Sequence, residues 1–249
     1  SGTVPLSPSF DTVGPLAKDV QDASALLALL EGKQARPVVP ASLDRVTLWL
    51  PGGIGWSEVE PQIASALDAA IRRLVRAGVK IVEHALPELD EIHALAWNPK
   101  ASRLVAEAYA QWGQVLRKNE ELIYRPVFER VMAGEKLMAG DLLRADLSRR
   151  EITARYLTAT AGVDAVLMPS VAIAPPPIAE LEPGGDAYGR ANRMALRNTT
   201  IGNQLGLTAI SLPCGRDDNG LPIGLMLQSA PYTEEKLLSL GLAIERALH

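Results

Sequence analysis

Apolar residues along this chain follow two periods. Ala23, Leu26, Leu27 and Leu30 recur at the spacing of one helix face, as do Ile63, Leu67, Ile71, Leu74 and Val75. Each set is framed by end signals. Asp19 or Asp22 can cap the first helix, and Gly32 stops it. Ser57 and Glu60 have the spacing of a capping box ahead of the second helix, which Gly78 closes. "RVTLWLP" (Arg45–Pro51) reads as a short buried strand ahead of that helix, and "VKIVEHAL" (Val79–Leu86) follows it as a second strand. Strand, capped helix, glycine stop and strand make a βαβ unit, which predicts a parallel pair.

From Pro87 to about Gly162 the pattern is mainly helical, with breaks expected at Pro99, Pro126 and Ala133–Asp141. "VDAVLMPSVAIAPPPI" (Val163–Ile178) predicts a buried strand running into a proline-rich loop. A Gly-rich turn and a helix over roughly 187–204 follow. "LTAISLPCG" and "LPIGLMLQS" then predict two strands joined at Asn219-Gly220, a strong tight-turn pair. A last amphipathic helix, about 233–248, opens with Glu234 and Glu235 near its positive end. The predicted fold class is α/β, a mixed β-sheet flanked by helices on both faces. Residues 1–249 read as a single α/β region, with 87–161 a helical insertion within it.

Composition narrows the function classes. The chain is 47% hydrophobic and 22% charged, ordinary for a globular core. A net charge of −4 and the absence of a Lys/Arg run argue against a nucleic-acid footprint. No apolar run approaches the roughly 20 residues that span a bilayer. No nucleic-acid or membrane partner is therefore expected. The single cysteine, Cys214, excludes an internal disulfide and fits a reducing compartment, hence a cytoplasmic expectation.

Recognisable chemistry is sparse. His84, His93 and His249 have no partner at metal-ligand spacing, and HExxH, CxxC and G-x-S-x-G are absent. No metal or cofactor is expected. Gly52–Gly55 lacks the Lys-Ser/Thr of a phosphate loop and reads as a plain turn. Cys214 reads as a small buried hydrophobe without a basic neighbour. Asp217-Asp218 reads as a solvated turn. "MPSVAIAPPPI" is more unusual: proline cannot donate to a sheet, so this run leaves the sheet as a stiff extended wall. Ligands in open α/β sheets sit beyond the carboxyl ends of strands, which makes Met168–Ser170 a candidate pocket rim, with a rigid crossover loop the alternative.

Three stretches in order carry a family resemblance: "PLSPSFDTVGPLAKDVQDASALLALLEG", "DAVLMPSVAIAPPPI" and "NQLGLTAISLPCGRDDNGLPIGLMLQ", the last followed by "TEEKLLSLGLAIE". The sequence resembles the amidase signature family nearly end to end, with only the helical middle generic. The resemblance implies an α/β fold and hydrolysis or transfer of carboxamides by a Ser–Ser–Lys triad without a metal. It also implies that the triad lysine and the Gly/Ser-rich loop lie N-terminal to the region represented here. No Gly-Gly-Ser-Ser-Gly-Gly-like run occurs in this sequence, and Ser7 and Lys18 fall in the segment after the catalytic loop. The expectation is a C-terminal portion of a longer amidase, itself without catalytic residues. Its own role would then be to shape the pocket for a small-molecule amide.

Under that resemblance the candidate pocket residues are Asp11, Pro169, Ser170 and Asn203. Asp11 is the one carboxylate of the proline-rich lead-in, with an Asx-turn or cap role as its alternative. Asn203 stands at a helix end, where capping is the default. Two other readings compete. One is the amide-hydrolysing component of a glutamyl-tRNA amidotransferase, although Leu196, flanked by Arg193 and Arg197, stands where that component carries an acidic residue. The other is a non-catalytic scaffold or binding protein derived from an amidase. A basic pocket would suit an anionic amide. Expected partners are the missing N-terminal portion and, as a further option, a second copy in a homodimer, since an interrupted sheet exposes edges.

Overall fold

The computed structural model describes residues 2–182 and 185–249. Five strands form one mixed sheet in the order β2-β1-β3-β5-β4. They are β1 (Thr47–Leu50), β2 (Lys80–Glu83), β3 (Ala165–Pro169), β4 (Thr208–Arg216) and β5 (Pro222–Ser229). β1 pairs parallel with both β2 and β3, whereas β5 runs antiparallel to β3 and β4. Nine helices accompany the sheet among the described residues: α1 (Val20–Leu30), α2 (Pro61–Arg76), α3 (Pro87–Ala96), α4 (Arg103–Lys118), α5 (Arg125–Met132), α6 (Ala139–Thr160), α7 (Ile178–Leu181), α8 (Gly185–Leu205) and α9 (Glu234–Leu248). The Gly-rich turn expected before α8 falls partly on Pro183 and Gly184, outside the described residues.

The strand period of two sorts the core into two layers. Ala165 and Leu167 of β3 face a cluster with Leu67 and Leu74 of α2 and Leu240 and Ile244 of α9. Val166 and Met168 face the opposite cluster, with Leu89 and Ile92 of α3, Tyr156 of α6 and Ile201 and Leu205 of α8. Helices therefore cover both faces, as a strand buried throughout requires.

Two local expectations change. α2 begins at Pro61, and Glu60 makes no side-chain cap. Proline at the first helical position needs no acceptor and presets φ, so the start moves past Ser57. Ser57 instead donates to the Ile54 carbonyl at 3.2 Å, and the Glu60 carboxylate accepts from Ala174 N at 3.0 Å in the proline-rich loop. Asp217 is only 9% exposed rather than solvated. Its Oδ1 accepts from Asn219 N and Leu221 N at 2.9 and 2.7 Å and so holds the β4–β5 turn.

Candidate pocket wall

β1 and β3 are parallel neighbours, so their carboxyl ends open on the same side. β1 continues into the Gly53–Gly55 turn, and β3 ends at Pro169. Gly55 permits close approach of the two, since a Cβ there would meet Met168 Sδ at 2.5 Å. Asp90 of α3 fixes the turn by accepting from Ile54 N at 3.0 Å. Glu58 follows with φ of 50°, a left-handed conformation that a non-glycine residue adopts at about 1–2 kcal/mol.

α8 locks this turn to β3. Asn198 is 1% exposed, and its Nδ2 donates to the carbonyls of Gly55 and Pro169 at 2.9 and 2.8 Å. Its Oδ1 accepts from Arg197 Nε at 3.0 Å. The amide orientation follows from these partners, because a flipped group would aim oxygen at two carbonyls. Arg197, 3% exposed, also donates from Nη1 to the Ser57 carbonyl at 2.7 Å and from Nη2 to the Gly55 carbonyl at 3.5 Å. Every oxygen it meets belongs to a neutral group. Burial pushes the Arg197 guanidinium below its ordinary value, opposed by the charge of Glu58. Half-buried His93 of α3 is lowered in the same way, first by burial and then by the charge of Arg197, with Asp90 opposing.

A second polar group lies at the end of β3. Ser170 N donates to the Gly224 carbonyl at 2.9 Å, and Ser170 Oγ shares a 2.5 Å hydrogen bond with Ser211 Oγ of β4. Only glycine fits opposite them: a Cβ on Gly224 would lie 2.6 and 2.8 Å from the two hydroxyl oxygens. Ser211 is exposed on β4, which pairs with β5 alone among the described residues.

Of the residues singled out in the sequence, Pro169 and Ser170 thus stand together at the carboxyl end of β3. Asp11 takes the turn role: its Oδ2 accepts from Leu6 N and Ser7 N at 2.8 and 3.0 Å. Its segment docks on α4, where Ser7 Oγ donates to Glu107 at 2.6 Å and Trp112 Nε1 donates to the Pro5 carbonyl at 2.6 Å. None of Asp11's hydrogen bonds reaches the rim. Asn203 is exposed near the end of α8, where its carbonyl accepts from Gly206 N at 3.2 Å, a helix-terminating role. Cys214 is partly covered, and burial pushes its thiol up to about 11.

Asn198, Ser211 and Gly224 are the additions that the structure makes, and it gives Arg197, named in the sequence only as a neighbour of Leu196, a buried place beside Asn198. A signal for Arg197 and Asn198 was present. Met194, Ile201 and Leu205 mark the core-facing stripe of α8, and the polar pair interrupts it. Polar side chains on such a stripe imply a buried hydrogen-bond network.

A family profile described as Amidase matches residues 1–238, and the chain belongs to that family. It is 32% identical over 246 residues to a 2-amino-5-chloromuconic acid deaminase of Comamonas testosteroni, a match covering 98% of this chain and 53% of the relative. It is 28% identical over 263 residues to an indoleacetamide hydrolase of Allorhizobium ampelinum, covering 98% and 56% of the two chains. A glutamyl-tRNA(Gln) amidotransferase component of Koribacter versatilis is 26% identical, covering 99% and 58%. A solved amidase structure superposes with a TM-score of 0.83 at 26% identity, over 98% of this chain and 55% of the other. The chain thus spans about half the length of the curated relatives it matches.

Proposed function

We propose that these residues form the pocket-wall portion of an amidase signature hydrolase that cleaves the C–N bond of a linear carboxamide. The serine nucleophile and lysine base would come from protein outside the 249 residues. An amide is a weak electrophile with a poor leaving group. Its hydrolysis needs an activated nucleophile, an acid for the departing nitrogen and donors for the oxyanion. Ser170 and Ser211 hydrogen-bond each other with neither lysine nor histidine among their partners, so they read as wall residues and not as a nucleophile.

The observation that carries the reading is the Asn198 clamp between Gly55 and Pro169. It fixes the carboxyl ends of β1 and β3 into one rigid rim where an α/β sheet takes its ligand, in a chain of the Amidase family. The amidotransferase reading stands second, supported by the 26% identical relative and opposed by Leu196. The complete protein should release ammonia from linear carboxamides, and the 249-residue chain alone should release none. Ammonia release from glutamine only with a tRNA-linked acceptor would favour the amidotransferase. No release from any carboxamide would leave the scaffold reading.

A further inference from the structure

α8 carries three arginines at the spacing of one helix face, Arg190, Arg193 and Arg197. Positions separated by three and seven residues fall within about 60° of each other and span about 10 Å of axis. Arg190 and Arg193 are exposed, and neither forms an ion pair among the described residues. Arg193 folds back over Gly189, whose missing side chain leaves Arg193 Nη1 3.4 Å from the position of a Cβ. Arg197, the deepest of the three, is buried against carbonyl and amide oxygens. No carboxylate hydrogen-bonds this buried cation, and only the nearby charge of Glu58 favours it, so its charge is incompletely paired, whereas buried charge is ordinarily paired directly. The chain as a whole is acidic, with a net charge of −4, so this face runs against the general balance.

We propose that the amide substrate carries a carboxylate held by this arginine face, with Arg190 and Arg193 drawing the anion in and Arg197 supplying positive charge at the base. The inference deepens the hydrolase reading and rests on it for the amide end of the substrate. Arg197 acts chiefly through its field and through the turn it holds, whereas the exposed pair meets the anion. A guanidinium fork matches a carboxylate with two hydrogen bonds, which gives orientation as well as attraction.

The test uses the complete protein and matched pairs in which a terminal carboxylate replaces a neutral amide: malonamate, succinamate and glutaramate against the corresponding diamides. Dicarboxylate binding is measured in parallel by calorimetry with malonate, succinate and glutarate. At least one carboxylated member should be preferred in kcat/KM by about tenfold or more at low salt, and the preference should shrink as ionic strength rises. R190Q and R193Q should lower the ratio of carboxylated to neutral rates and weaken dicarboxylate binding. Turnover with ratios near one for every pair overturns the anion site and leaves the amidase reading standing. Dicarboxylate binding that depends on Arg193, without turnover, supports the anion site while the amidase reading falls. Neither binding nor turnover overturns both.

Discussion

Replacing Asn198 by alanine removes two donors and one acceptor from the rim at once. The Gly55 and Pro169 carbonyls and Arg197 Nε all lose a partner in a region where Asn198 itself is 1% exposed. A buried polar group left without its partner costs about 1–3 kcal/mol, and a charged one more. Three such losses, partly relieved by relaxation, give a destabilisation of about 3–5 kcal/mol, at the upper end for single substitutions. With a urea slope of at least about 3 kcal/mol per molar for a protein longer than 249 residues, the unfolding midpoint should fall by at most about 1–1.7 M. Asn198→Leu separates hydrogen bonding from packing, because it restores the volume without the donors. Both variants should be destabilised to a similar degree in equilibrium urea unfolding of the complete protein. Recovery of wild-type stability by leucine, or a loss under about 1 kcal/mol with alanine, would refute the idea that hydrogen bonds hold β1 and β3 together at the rim.

The docked N-terminal segment should respond to acid. Burial alone would raise the Glu107 carboxyl, but hydrogen bonds from Ser7, Ser9 and Arg103 outweigh it and leave the group below its ordinary value of 4.5. A lowered carboxylate stabilises the docked state fully above that ordinary value, and the stabilisation is lost as pH falls through the lowered one. Trp112 emission should therefore change below pH 4.5 and be flat above it, and E107Q should abolish the step, whereas a transition near neutrality would contradict the assignment. Cys214 should be slow to alkylate: a thiol raised from 9.0 to about 11 holds about a hundredfold less thiolate at pH 8. Iodoacetamide modification of the native protein at the rate of a free thiol would show that burial does not protect it.

The sheet and its two helical layers were legible because the pattern itself is physical. Leu48, Ala165 and Leu167 sit in continuous apolar runs, and Ile63, Leu67 and Leu74 mark one stripe of α2. Boundaries were less legible where two end signals compete, as Ser57 and Pro61 do before α2. The polar groups at the carboxyl ends of β1 and β3 were half legible. Pro169 and Ser170 announce themselves by proline after an apolar strand. Ser211 and Gly224 do not, since they meet only through the β5–β4 register and a strand serine or glycine has many uses. Asp11 drew interest as a lone carboxylate, yet its contacts are local, because proline and serine around it favour a turn.

The most direct test of the account is labelling with a fluorophosphonate, which modifies an activated serine. On the complete protein, the label should map by mass spectrometry to a serine outside these 249 residues, and the 249-residue chain alone should remain unlabelled. Stoichiometric labelling of Ser170, Ser211 or any other serine within this chain would contradict the claim that it supplies the wall of the pocket and not its chemistry.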